Sequence, residues 1–275
     1  MSTPRLLAIL AHPDDETLGV GPTLAKYAEE GVEVFLVTAT RGQSGRFRGI
    51  RQNDARHPGA VALAGIRESE LRAAADVLGV REVIVLDYHD QQLDRANPPE
   101  VIESLAGHLR RIRPGVVITF PPDGAYGHPD HIAISQFTVA AIVAAADPAF
   151  RPGSGAAAPP YATPKLYYMA WTDSMWAAYQ STFGAAMTTV DGVQRHAVVW
   201  PEWSITTSID TRPFSPTVWQ AVACHESQVG GHANLRDLSD EERERVWESQ
   251  TFFRVFSRVN GGRTRETDLF DGIRR

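Results

Sequence analysis

The chain has 275 residues, 43% hydrophobic and 22% charged, an ordinary globular composition that excludes an intrinsically disordered protein. Its 27 Lys and Arg against 33 Asp and Glu give a net charge of −6, which sets nucleic acid aside as a partner. The single Cys rules out an internal disulfide, and no stretch approaches the ~18 apolar residues of a membrane span. The first ten residues lack a signal-peptide pattern, so a cytoplasmic location without membrane contact is expected.

In chain order, residues 5–11 form a short apolar run that predicts a buried strand. Residues 17–30 predict a helix stopped by Gly31, and the β-branched run 32–40 a second strand. The segment 41–60, rich in Gly, Arg and Asn, predicts a loop. A helix over 68–78 and a strand over 83–86 follow, then a helix over 99–113 with Ile102, Leu105, Leu109 and Ile112 on one face. Residues 116–120 predict a fourth strand, and 130–146 a helix with acid and His in its first turn. The Pro/Gly/Ala-rich stretch 151–164 predicts a separator. Beyond it, 165–171 and 204–209 predict strands, while 218–225 and 239–253 predict helices, the last opened by a Ser239–Glu242 capping box. This alternation predicts an α/β fold: a Rossmann-like, mostly parallel sheet with helices on both faces, plus a smaller C-terminal α+β part. Ligands of such sheets sit beyond the carboxyl ends of the strands.

Two polar clusters occupy such positions. Directly after the first strand comes Ala11-His12-Pro13-Asp14-Asp15-Glu16. His12 and Asp15 are three residues apart, so one turn can aim both at a point, and imidazole and carboxylate are good Zn²⁺ ligands; Asp14 then lies beside the metal without binding it. After the fourth strand comes Tyr126-Gly127-His128-Pro129-Asp130-His131, with two histidines three apart at a helix start. Either cluster alone also reads as a helix N-cap. Together they follow two strands of one sheet and can converge, and three ligands from His and Asp leave a position for water.

The pair AHPDDE and HPDH resembles the LmbE/PIG-L zinc-dependent N-deacetylases, over at least residues 6–146, with looser similarity at Ala223-Cys-His-Glu-Ser-Gln228. The resemblance implies a metal site at the strand ends, with His12, Asp15 and His131 as ligands and Asp14 as general base. His128 matches the residue that stabilises the oxyanion or assists the leaving amine, and Asp130 matches one that orients a histidine. The mycothiol-pathway deacetylases and amidases are similar at Arg67, Asp90 and Tyr126, which implies contacts to a sugar. Each has a plainer reading: Arg67 paired with Glu70, Asp90 capping a loop, Tyr126 packed over a turn. Gly19 departs from that subgroup, which carries a bulkier side chain there. The implied activity is removal of an N-acetyl group from an N-acetylglucosamine-type compound. The alternative is an amidase acting on a thiol conjugate or another small-molecule amide. The implied cofactor is Zn²⁺, with Fe²⁺ as its substitute in the cell, and the implied assembly is a homo-oligomer.

Residues 1–150 are thus read as the metal-site core and 151–275 as the part completing the substrate pocket, within one integrated domain. A nucleotide-binding dehydrogenase is disfavoured, because HPDDET replaces a Gly-rich turn and its carboxylates would repel a pyrophosphate. A non-catalytic binding protein is disfavoured by Asp14, a carboxylate that a structural metal site does not need. The six Trp residues, all beyond residue 170, suit either core packing or the wall of a site.

Overall fold

The computed structural model describes residues 3–151, 158–230, 235, 238–262 and 264–273, so residues 152–157 of the expected separator lie outside the described residues. Strand β1 (Arg5–Leu10) is apolar from Leu6 onward because both its faces are covered; each of those residues is buried. Helix α1 (Asp15–Glu29) returns to β2 (Glu33–Thr40) through Gly31, whose φ of +81° is the left-handed turn that ends a helix. Next come α2 (Ala60–Val77), β3 (Glu82–Tyr88), α3 (Pro98–Ile112) and β4 (Val116–Thr119). A distorted single turn, α4 (Gly124–Gly127), leads into α5 (Pro129–Ala146) and β5 (Lys165–Met169). The chain ends with α6 (Asp173–Phe183), the hairpin β6 (Met187–Val190) and β7 (Val193–His196), β8 (Thr207–Asp210), α7 (Ser215–Cys224), α8 (Glu226–Val229), α9 (Asp240–Val246) and β9 (Ser249–Ser257).

The main sheet has seven strands in the order β3-β2-β1-β4-β5-β9-β8. The first five are parallel; β9 runs antiparallel to β5 and to β8. This is the expected fold class, with α1, α2 and α7 packed together and α3 packed on α5. Strand order reverses between β1 and β4, and there a crevice opens at the strand ends. Both polar clusters emerge at that point. Among the described residues, α5 is the one helix long and apolar enough to cross a membrane, and 56% of it is buried inside the fold.

The sequence expectation fails in three places. Residues 239–253 are not one helix: the capping box at Ser239 is present, but α9 stops at Val246 and β9 follows. The run Thr251-Phe-Phe-Arg-Val-Phe256 is β-branched and aromatic, strand material that a helical count overrode. Helix α6 and the β6–β7 hairpin were not foreseen, although Asp191-Gly192, with φ of +52° and +77°, is the dipeptide a two-residue hairpin turn prefers. Helix α2 begins at Ala60, eight residues before the expected 68.

Strand β9 also repairs α1. Pro22 stands inside that helix and disrupts its hydrogen-bond ladder. The Gln250 amide enters beside it, accepting from the Thr23 backbone N–H at 3.0 Å and donating to the Gly19 carbonyl at 2.7 Å. The helix that carries the first cluster is thereby tied to the far end of the chain.

Candidate active site

Asp15 closes the turn after β1 by accepting the backbone N–H of His12 at 2.7 Å and of Ala11 at 3.2 Å. His12 Nε2 lies 3.1 Å from both Asp130 Oδ2 and Asp90 Oδ1, so that nitrogen donates to the carboxylates and Nδ1 is the one that faces inward. On α5, His131 Nδ1 donates to the Gly124 carbonyl at 3.2 Å, and the ring stacks on Phe120 with centroids 3.8 Å apart. Its Nε2 is left free. His12 Nδ1 and His131 Nε2 stand 3.2 Å apart. The Asp15 oxygens lie 3.6 Å from the first and 3.5 Å from the second. A tetrahedral ion with bonds of ~2.0–2.1 Å needs ligand separations of ~3.3–3.4 Å; the imidazole pair is close to this, while Asp15 approaches His12 with Oδ2 and His131 with Oδ1. The His128 ring sits 4.8 Å from both imidazoles.

The electrostatics also suit a cation. The carboxylates of Asp15, Asp90 and Asp130 surround His12, and Asp14, beside Glu16, is the one paired with the buried guanidinium of Arg67. Burial resists charge on His12, but Asp90, Asp130 and Asp15 outweigh it and raise its pKa well above the usual value. Burial would raise Asp15 too, yet His131 and His12 hold it well below the carboxylate range. His131 is pushed down by burial to about 3, which keeps its ring neutral, as a ligand must be.

Asp14 caps α1 with φ of +101°, a strained backbone for a non-glycine residue. Its amide donates to Glu16 Oε2 at 2.9 Å, and Arg67 donates to its Oδ2 at 3.1 Å. Burial raises the Asp14 pKa to about 6 despite Arg67, into the range of a base working near neutrality. Arg67 reaches this position by also donating to the carbonyls of Pro13 and Gly42. Gly42, with φ of +64°, suits this place, because a Cβ there would run into the Arg67 guanidinium. Arg67 therefore does not pair with Glu70, which instead accepts from the Ser227 backbone N–H at 2.7 Å and from its hydroxyl at 2.6 Å.

His128 caps α5: its Nδ1 accepts the Asp130 amide at 3.2 Å, so the neutral ring carries its proton on Nε2. Burial and His12 lower its pKa to about 4 and favour that neutral form. The turn bearing Tyr126 is strained, with Ala125 at φ +66° and ψ −44°. A clasp from the C-terminal part holds it. Arg195 donates to the Gly127 carbonyl at 3.1 Å, the Val198 N–H to the Ala125 carbonyl at 2.7 Å, and Trp200 Nε1 to Asp123 at 3.1 Å. Of the residues expected to touch a sugar, Tyr126 lines the cavity beside the metal ligands. Arg67 faces Asp14, and Asp90 lies between His12 and the Ser44 amide, which donates to it at 2.9 Å.

Three participants escaped the sequence reading. Glu16 is fully buried and receives His225 Nε2 at 2.7 Å, which ties the base of α1 to the C-terminal part. Arg195 and the α6 aromatics had no motif to announce them. Three of the five arginines of the 41–60 loop are in ion pairs: Arg41 with Glu68 and Asp87, Arg48 with Glu226 and Arg56 with Asp54.

Residues 7–142, which include both polar clusters, match the family model PIG-L, GlcNAc-PI de-N-acetylase. The chain is 35% identical to the 1D-myo-inositol 2-acetamido-2-deoxy-alpha-D-glucopyranoside deacetylase of Streptomyces avermitilis, covering 98% of this chain and 97% of that one. It is 33% identical to the protein of the same name from Kineococcus radiotolerans, covering 98% and 83%. Among solved structures, the N,N'-diacetylchitobiose deacetylase of Pyrococcus horikoshii superposes with a TM-score of 0.66 at 20% identity, over 92% of this chain and 84% of that one. The 4-carboxy-2-hydroxymuconate hydratase GalB of Pseudomonas putida KT2440 does so with 0.67 at 19%, over 94% and 99%. Those two likenesses establish the fold alone, since one scaffold carries a deacetylase and a hydratase. With full-length relatives above 30% identity and both clusters inside the matched segment, the chain belongs to the PIG-L de-N-acetylase family.

Proposed function

We propose that this chain is a Zn²⁺-dependent hydrolase that removes the N-acetyl group from a glucosamine-type compound. The observation that supports it most is the meeting of His12 Nδ1, His131 Nε2 and the Asp15 carboxylate within 3.2–3.6 Å, with Asp14 free of that trio beside them. The family, and relatives named for an acetamido sugar, support the substrate class.

His12, Asp15 and His131 would hold the cation, which would supply Lewis acidity for an amide carbonyl and for a water. Asp14, fixed by Arg67, takes the proton of the attacking water and returns it to the departing nitrogen. His128, with Nδ1 satisfied, offers its Nε2–H to the oxygen on which negative charge develops. Asp130 and Asp90 hold the tautomer of His12. Tyr126 touches substrate directly, while Arg67 and Asp90 act on it through Asp14 and His12. Acetate and a free amine result. A cytoplasmic homo-oligomer is part of the same proposal, with size-exclusion chromatography as its check.

Acetate release from N-acetylglucosamine and from an N-acetylglucosaminyl inositol, before and after chelation and with Zn²⁺ or Fe²⁺ restored, tests the reading. Loss on chelation and recovery with one of the ions is expected. Turnover untouched by exhaustive metal removal overturns it.

A further inference from the structure

Beside Asp14, Asp15 and His131 the fold leaves a cavity of ≈ 180 Å³. Its remaining walls come mainly from Leu18, Phe120, Met169, Trp171 and Trp176, with the rings of Tyr126 and Tyr179. Trp171 and Trp176 pack with centroids 4.4 Å apart, and the Trp176 N–H is committed to the Val198 carbonyl at 3.0 Å. Apart from the reactive groups, its side chains offer a polar ligand the two Tyr hydroxyls and the Trp171 indole N–H. The β2–β3 side of His12 is different in kind. There Ser44 and His89 flank Gln43, whose Oε1 is buried without a partner.

An amide joins an acyl part to an amine part, and these two environments fit different parts. A hydroxyl-rich sugar in the aromatic half would leave most of its hydroxyls unpaired; an apolar chain there gains by burial. Apolar cavities of about 150 Å³ admit a guest the size of benzene, so this space, even with part of it given to the ion and the reacting carbonyl, holds more than an acetyl methyl. Gly19 keeps its floor open, because a Cβ there would stand 3.2 Å from Met169 Sδ. We infer that this cavity is an acyl-chain pocket, and that the preferred substrates are glucosamine-type amides whose acyl group is an apolar chain of about four to six carbons or an aryl group. The inference rests on the amide-hydrolase reading above. The step is unchanged in its balance: water oxygen bonds to the acyl carbon, the C–N bond breaks, the acyl part leaves as a carboxylate and the amine keeps a proton from water.

The test compares kcat/KM for N-acetyl-, N-butyryl- and N-hexanoylglucosamine on the Zn²⁺-loaded protein. Roughly fourfold per added methylene is expected, so butyryl should exceed acetyl by about tenfold or more. Gly19→Leu should reverse that order. A second readout needs no turnover: hexanoate should perturb the Trp fluorescence and bind at least tenfold more tightly than acetate, with a smaller signal in Trp176→Phe. Acetyl turnover with no gain along the series, and hexanoate no tighter than acetate, overturns the acyl pocket and leaves the amide-hydrolase reading standing. Tight hexanoate binding without turnover of any amide supports the pocket and overturns that reading instead.

Discussion

The segment from β1 to the start of α5 and the segment from β5 onward serve one site by different means. The first carries the reactive groups, on two loops at the point where strand order reverses: His12, Asp14 and Asp15 after β1, His128 and His131 after β4. Among the described residues, the two sets of side chains whose ligand atoms lie close enough to share a metal, His12–His128–His131 and His12–Asp90–Asp130, include none beyond His131. The later segment shapes and holds. Met169, Trp171, Trp176 and Tyr179 form walls, Arg195 and Trp200 clasp the turn of Tyr126, His225 buttresses Glu16, and Gln250 mends α1. Reactive chemistry demands particular polar residues at tight spacing, whereas a wall demands only apolar bulk that many residues supply.

Substitutions in each segment can break this contrast or sharpen it. The largest effect belongs to the first. Asp14→Asn is expected to lower kcat by about 10²–10⁴ with metal content unchanged, read by acetate release and elemental analysis. Full activity would require another base. Gln250→Ala leaves the Thr23 N–H and the Gly19 carbonyl without their partner, at a cost of about 2–4 kcal/mol, so thermal unfolding should shift down by about 5–15 °C. An unchanged midpoint would mean that α1 needs no repair.

The two segments meet in the next pair. Glu16→Gln weakens the contact with His225 and should reduce kcat by about 10–100-fold while the protein stays folded. Arg195→Ala should lower kcat by about tenfold without loss of metal, and Arg195→Lys should recover part of it; loss of metal along with activity would contradict a role confined to the Tyr126 turn. The smallest effect lies farthest from the site. Glu266 accepts from Lys165 at 2.7 Å, and the hydrogen bonds it makes there outweigh burial and hold its pKa at about 2, against 4.5 unperturbed. Its contribution is therefore present above pH 4.5 and lost as pH falls toward 2. Urea midpoints at pH 5 and pH 3 should fall further in the wild type than in Glu266→Gln.

Legibility in the sequence followed the same divide. The parallel strands and both polar clusters stood out, since buried parallel strands are continuous apolar runs and the clusters sit where such runs end. The C-terminal antiparallel strands were harder. Charged α9 and aromatic β9 adjoin without a Gly or Pro between them, and a helical count ran through both. Arg67 and Asp90 were singled out for the right neighbourhood, but spacing does not say whether a side chain turns to a ligand or to Asp14 and His12. Glu16 was hidden by standing beside more conspicuous acids, and its partner His225 lies 209 residues away.

The central claim is that His12 and His131, 119 residues apart, grip one divalent cation with Asp15. Equilibrium dialysis of the purified protein against Zn²⁺, followed by elemental analysis, measures this most directly. One ion per chain in the wild type, and none in either His12→Ala or His131→Ala, is the predicted result. A wild type that retains no ion, or a His131→Ala protein that holds it as tightly as before, would contradict the account.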